Sequence, residues 1–292
     1  MVAKAIGGGR FARFLGPLAV LLGAAAVSRG PKLVELGGGK IPKGKGVWVH
    51  SVKHASSPEV MVEAMKSVGA DYAIIATVWQ KANGEELRYA LDEIPAYAEA
   101  LRKAGIDVWL WGWPDSEKSR MDSFIARVSD VWKKSKASGF VLDMEDQWLS
   151  KKYDPNARYI IKELQKVGPV GVTTYGGGPA NVKSFPWKAV AEESDFGMPQ
   201  IYTELSKYGV GYPGRAVKRY EEAGFKGVIP VLSASPGRDV NYMKQYQKHT
   251  PLPEGSVSYW HYYHMFRSGS SGRKRAEALA SYDVGDYGSS LA

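Results

Sequence analysis

Gly139-Phe140-Val141-Leu142-Asp143-Met144-Glu145-Asp146 is a short apolar run that ends in acids. Its length suits a buried strand. Side chains alternate along a strand, so Val141, Asp143 and Glu145 share one face while Leu142 and Met144 share the other. Two residues of rise put the Cα atoms of Asp143 and Glu145 roughly 6–7 Å apart, close enough for their carboxyl groups to work as a pair. A strand that is apolar at its start and acidic at its carboxyl end suits a parallel barrel, whose active site lies at that end. A strand running into a loop with solvated acids has the same local pattern, so the rest of the chain must decide.

Working outward, the pattern repeats. Val47–Val52, Asp71–Trp79 and Ile106–Trp113 read as strands before the acidic one, and Val170–Tyr175, Phe196–Thr203, Gly227–Ala234 and Ser256–Tyr263 as strands after it. Between them, helical stretches open on caps such as Ser57-Pro58 and Asp154-Pro155 and close on Gly69, Gly105 and Gly224. One of these helices is expected over Glu85–Ala104. Eight strand-like runs alternating with helices over residues 46–282 predict a (β/α)8 TIM barrel. No glycine fingerprint for a dinucleotide or nucleoside phosphate follows the first strand.

The 292 residues include no cysteine, which excludes disulfides, thiolate metal sites and a cysteine nucleophile. Most of the formal charge of +9 belongs to the first 45 residues, where Lys4, Arg10, Arg13, Arg29, Lys32, Lys40, Lys43 and Lys45 face Glu35 alone. The barrel is therefore nearly neutral, which argues against a specific nucleic-acid surface. Residues 1–27 combine a basic start, an uncharged run from Phe14 to Val27 and small residues at its end. That composition reads as an export signal, as a membrane or assembly anchor, or as a docking arm onto a partner in an envelope or virion. Residues 28–45 are a Gly/Lys-rich linker and 283–292 a flexible tail. The leader places the expected site of action outside the cytoplasm, secreted or associated with an envelope or phage particle.

In a barrel, function collects where strands give way to the loops after them. Those ends carry His50, Trp79, Trp111, Trp113, Asp115, Asp143, Glu145, Tyr175, Gln200, Tyr202, Ser233, Trp260 and Tyr262. Aromatic rings stack on the apolar faces of pyranoses, amides and phenols bond hydroxyl and N-acetyl groups, and carboxylates supply the acid and the charge stabilisation of glycosidic cleavage. Trp109 and Trp111 also suit an aromatic core, and His50 a structural histidine. A glutamine in the barrel interior needs hydrogen-bond partners, so Gln200 points to a site. His54, His261 and His264 show no metal-site spacing, and no cofactor or metal is expected. A nucleophile elbow is absent.

The Gly139–Glu145 segment resembles the fourth-strand motif of the family 18 chitinases, Asp-Gly-x-Asp-x-Asp-x-Glu, with Gly139, Asp143 and Glu145 matching its glycine, last aspartate and catalytic acid. Pro199-Gln200-Ile201-Tyr202 is similar to the segment of that family whose tyrosine contacts the substrate N-acetyl group, and Tyr259-Trp260 to the one whose tryptophan floors the site. The Asp-x-Glu pair also resembles the family 25 lysozymes. Ser138 and Val141 stand where the chitinase motif has aspartates, and His50 where the lysozymes have one.

These resemblances imply a retaining glycosidase acting on an N-acetylhexosamine polymer, peptidoglycan or a chitin-like glycan. Glu145, Asp143 and Tyr202 would be catalytic, and His50, Trp79, Trp111, Trp113, Asp115, Tyr175, Gln200 and Trp260 would bind the sugar. Two rivals remain open: a non-catalytic glycan-binding or structural barrel in a larger assembly, and a barrel enzyme for a phosphate-bearing substrate, for which only Arg238 and Arg267 stand near the last strand ends.

Overall fold

A computed structural model describes residues 41–202, 208–235, 240–266, 269–282 and 284. The leader 1–27, most of the linker and nearly all of the tail lie outside the described residues. So do Arg238 and Arg267. The elements run β1 (Gly44–Val49), α1 (Pro58–Ser67), β2 (Tyr72–Gln80), β3 (Glu86–Arg88), α2 (Ile94–Lys103), β4 (Asp107–Trp113), α3 (Lys118–Ser135), β5 (Gly139–Asp143) and α4 (Asp154–Gln165). They continue with β6 (Val170–Tyr175), α5 (Gly178–Asn181), α6 (Trp187–Glu193), β7 (Phe196–Ile201), α7 (Tyr212–Glu222) and β8 (Val231–Ser233). Last come α8 (Val240–His249), β9 (Ser256–Trp260), α9 (Tyr262–Phe266) and α10 (Gly269–Ala280).

Eight strands pair in parallel around a closed ring, β1-β2-β4-β5-β6-β7-β8-β9, and β9 returns to β1 with Gly46 opposite Ser258. The expected (β/α)8 barrel is the observed fold. Its strands are buried on both faces, as the near-continuous apolar runs require. One set of side chains fills the inside, among them Trp48, Tyr72, Ile74, Trp109, Trp111, Val141, Phe196, Met198 and Val231. The other set, including Val47, Val49, Ile75, Leu110, Phe140, Leu142 and Met144, packs beneath the helices. The alternation read along β5 is therefore physical: Val141 looks inward while Leu142 and Met144 look out.

Bulky interior rings are accommodated by glycine on the neighbouring strand. A Cβ on Gly46 would overlap the Tyr72 ring, one on Gly139 the Trp109 ring, and one on Gly171 the Phe196 ring. The polar atoms of these rings are satisfied: Trp48 Nε1 donates to Ser258 Oγ at 2.9 Å, Trp109 Nε1 to Asp107 Oδ2 at 3.0 Å, and Tyr72 Oη to the Val257 carbonyl at 3.0 Å. Buried donors left unpaired would each cost about 1–3 kcal/mol.

Three expectations are corrected. Glu85–Ala104 is not one helix: Glu86–Arg88 turn back antiparallel onto β2, with Trp79 opposite Leu87. The cause is an Asn83-Gly84 turn, in which Gly84 takes a φ of 92° and Asn83 Oδ1 accepts from Glu85 N at 3.0 Å. β1 starts inside the predicted linker, because Gly44 N donates to Ser256 Oγ at 2.9 Å and Lys45 N to Asp71 Oδ2 at 2.8 Å. Finally, β9 stops at Trp260. α9 begins at Tyr262, so that ring goes to the outer core, 2% exposed, instead of facing the barrel mouth in phase with Trp260.

Candidate active site

β5 delivers Asp143 as its last residue, and the chain then leaves strand geometry. Met144 N still donates to the Thr173 carbonyl of β6 at 3.0 Å, holding the segment to the barrel rim. Glu145 precedes a single helical turn, Asp146–Trp148, whose Trp148 Nε1 is anchored on the Pro114 carbonyl at 3.1 Å. The turn fixes Glu145 over the mouth, half-buried, while Asp143 is 5% exposed.

From β7, Gln200 reaches both acids. Its Nε2 donates to Asp143 Oδ1 at 3.1 Å and to Glu145 Oε1 at 2.5 Å, so one amide bridges the two carboxyl groups. Burial pushes Asp143 well above the usual carboxylate range, and the adjacent Glu145 charge adds to the shift. Glu145 is also raised, by burial first and by the charge of Asp146, against the lowering effect of the Gln200 and Asp143 hydrogen bonds. Two carboxyls this close in a dry setting resist double ionisation, so ionising one makes the other hold its proton more tightly. That is the state a general acid with a charged neighbour requires.

The other residues named from the sequence fall into three groups. Trp260 and Tyr202 are half-buried and pack against the interior cluster. Trp260 meets Trp111 edge-on at 5.5 Å and Trp48 at 5.8 Å between ring centroids. Trp111 is only 3% exposed and its Nε1 points to the Val49 carbonyl at 3.4 Å, so it supports Trp260 from the core side. His50, half-buried, touches Tyr89, Trp111 and Trp260 at centroid distances of 4.7, 6.1 and 6.1 Å.

Trp79 and Trp113 form a second aromatic unit on β2 and β4, stacked at 5.2 Å with Lys81 Nζ 5.6 Å from the Trp79 ring. Tyr175 donates its hydroxyl to Asp146 Oδ1 and so steadies the acid next to Glu145. Asp115 departs from its expected role. It is 5% exposed; Oδ1 accepts from Glu117 N at 2.9 Å at the entry to α3, and Oδ2 is engaged by Arg120. With both oxygens occupied, Asp115 holds a helix start in place.

Four features went unread in the sequence. Asp146 lies within hydrogen-bond reach of Tyr175, and Tyr89 lies against His50. His54, His261 and His264, set aside for lack of a motif, gather with His50 beside Trp260. Trp113 Nε1 is buried without a hydrogen-bond partner.

No family model matches the chain, and no curated protein matches it in sequence. Solved structures do. A chitinase from Rhizomucor miehei superposes with a TM-score of 0.59 at 11% identity, covering 81% of this chain and 100% of its own. A fungal endo-β-N-acetylglucosaminidase of glycosyl hydrolase family 18 gives 0.59 at 12%, covering 84% and 99%. The spore cortex-lytic enzyme SleL of Bacillus cereus gives 0.54 at 10%, covering 81% and 73%. The barrel of this chain thus has the fold seen in the family 18 glycoside hydrolases.

Proposed function

We propose that this protein is a glycoside hydrolase that cleaves an N-acetylhexosamine-containing polymer, peptidoglycan in the first instance, by a retaining route. The observation that carries the reading is the buried Asp143–Glu145 pair bridged by Gln200 at the carboxyl-terminal mouth of the barrel. The neighbours in fold support it by their own names, a chitinase, an endo-β-N-acetylglucosaminidase and a spore cortex-lytic enzyme.

In this mechanism the shared proton, which burial and the Glu145 charge favour on Asp143 at rest, passes to Glu145, which gives it to the glycosidic oxygen as the bond to C1 breaks and then draws a proton from water as a base. Asp143 keeps the negative charge that this transfer to Glu145 leaves on it. It stabilises positive charge at C1, or holds the substrate acetamide as its oxygen closes on C1. Tyr202 hydrogen-bonds that acetamide, and Trp260 stacks beneath the pyranose. Gln200 keeps the two carboxyl groups at their spacing. Action outside the cytoplasm, with residues 1–45 as an export signal or as a membrane or virion contact, belongs to the same proposal.

The test is a peptidoglycan zymogram beside a chito-oligosaccharide assay, comparing the parent chain with Glu145→Gln. Clearing that the substitution abolishes, with kcat falling by several orders of magnitude and the fold intact, supports the reading. Near-normal turnover in Glu145→Gln sinks the assignment of the acid. Binding without release from either polymer makes this a glycan-recognising barrel.

A further inference from the structure

The closure of the barrel produces a cluster of histidines. β1 ends in His50, and the helical turn Val52–His54 that follows carries His54. β9, paired to β1, is followed by His261, and α9 carries His264. The four rings lie close together. Centroids are 6.2 Å apart for His50–His54, 5.8 Å for His50–His261, 6.4 Å for His54–His261 and 4.2 Å for His261–His264. The cluster borders the aromatic floor: Trp260 is 4.7 Å from His261 and 6.1 Å from His50. Tyr89 and Tyr263 close the sides, at 4.7 Å from His50 and 4.9 Å from His54.

This chemistry suits an anion. His261 is 8% exposed, and its Nδ1, like that of His264, is buried without a hydrogen-bond partner. Arg275 of α10 is 4% exposed and also leaves Nη1 unpartnered. Among the described residues, the electrostatic contributions that act on His50, His261 and His264 come from basic side chains, His50, His54, His264 and Arg275, and each lowers their pKa. Lys53, next to His54, is exposed and pairs with Glu93 at 3.6 Å. Burial comes first among the causes that lower the three histidines, to about 3 for His261, so they stand neutral until a negative charge arrives. Among the described residues, no three metal-ligating side chains are arranged to hold a metal ion.

We propose that the His50–His54–His261–His264 cluster is a recognition site for a carboxylate carried by the sugar bound at Trp260, which makes the substrate an acidic amino-sugar polymer. The inference rests on the glycosidase reading and narrows its substrate. As the carboxylate enters, an imidazole becomes protonated on both ring nitrogens, and a charge-assisted hydrogen bond forms where two buried Nδ1 atoms had no partner. Neutral chito-oligosaccharides gain nothing from it.

The experiment is calorimetric titration of full-length Glu145→Gln protein with two disaccharides, N-acetylglucosaminyl-N-acetylmuramic acid and N,N′-diacetylchitobiose. The acidic disaccharide should bind about tenfold tighter at about pH 5.5, with proton uptake from the buffer. Its advantage should shrink towards about pH 7.5. It should collapse in His264→Phe and in His54→Phe, both at half-buried positions where the ring volume is kept, while diacetylchitobiose binding stays unchanged. Equal affinity for the two sugars, or an acidic preference that survives in both variants, overturns the proposal and leaves the glycosidase reading standing. Failure of both disaccharides to bind overturns the two together.

Discussion

Replacing Gln200 by leucine removes the one amide that bridges both acids. The side chain is 8% exposed and similar in volume to leucine, so the barrel keeps its packing while both carboxyls lose a donor, at 3.1 and 2.5 Å. Hydrogen bonds to charged groups contribute about 1.5–3 kcal/mol, and about 1.4 kcal/mol corresponds to one pKa unit. The Gln200 bond lowers the pKa of both Asp143 and Glu145, so its loss raises both. In the proposed mechanism the singly protonated pair is the working state. Its acid limb marks the first charge to appear, and its basic limb marks the loss of the remaining proton. Gln200→Leu should therefore move both limbs of the kcat/KM profile upward by roughly one to two pH units. The assay is turnover of a chromogenic N-acetylglucosamine oligomer across pH, with near-ultraviolet dichroism to confirm the native fold. Limbs that stay in place, or move to lower pH, refute the bridging role.

Further predictions concern stability and backbone fit. Asp143→Asn should raise Tm by a few degrees at neutral pH, on the order of 1–2 kcal/mol, while abolishing turnover. The sign follows from burial. The folded pKa lies above the unfolded value of about 3.9, so the native state is favoured when Asp143 is protonated and loses stability as pH rises through the folded pKa. The gain from Asn should therefore vanish near pH 3, and thermal unfolding at several pH values checks it; a constant difference would contradict it. Gly176→Ala should destabilise by about 1–3 kcal/mol and lower kcat, because a Cβ there meets the backbone carbonyl of Gln200, which cannot swing away as a side-chain end can. Urea unfolding and steady-state kinetics report the two effects separately, and wild-type kcat would show that the Gln200 strand end does not shift.

The barrel was legible because each β-strand is buried on both faces and announces itself as an apolar run between caps. Ser57 capping Val60 N at 3.3 Å, with Pro58 in the first turn, is where the sequence placed it. The reversal at Asn83-Gly84 has a turn signal of its own, but helix-forming residues follow it and mask the short strand between. Alternation puts Asp143 and Gln200 on inward faces, and Gln200 bonds both Asp143 and Glu145, although Glu145 lies beyond the end of β5. Alternation cannot say which partner a loop side chain finds: Asp115 sits near a strand end, yet Arg120 on the following helix takes its charge. The histidine cluster was the least visible feature. Its members become neighbours only when β9 pairs with β1, bringing Ser258 opposite Gly46 across more than two hundred residues of chain.

Val141 decides how the acid pair works. It stands two residues before Asp143 on the inward face, wholly buried within the interior cluster, and offers that carboxyl neither a hydrogen bond nor a charge. Ser138, at the other departure from the chitinase motif, gives its hydroxyl to Asp107. Among the described residues, Asp143 therefore has no acidic neighbour behind it with which to exchange a proton; its hydrogen-bonding partners there are Gln200 and Glu145. A carboxyl confined to one partner can relieve its charge only through that partner. In the proposed mechanism the proton that Glu145 donates leaves a second negative charge, on Glu145 beside the Asp143 carboxylate, and the pair must bear both in an apolar setting until positive charge develops at C1. The same burial that makes the resting pair costly thus makes the transition state favourable, since opposite charges attract most strongly where water is excluded. Restoring an acid with Val141→Asp would place a second negative charge beneath Asp143. Without the supporting donors of a proton relay, it should lower turnover.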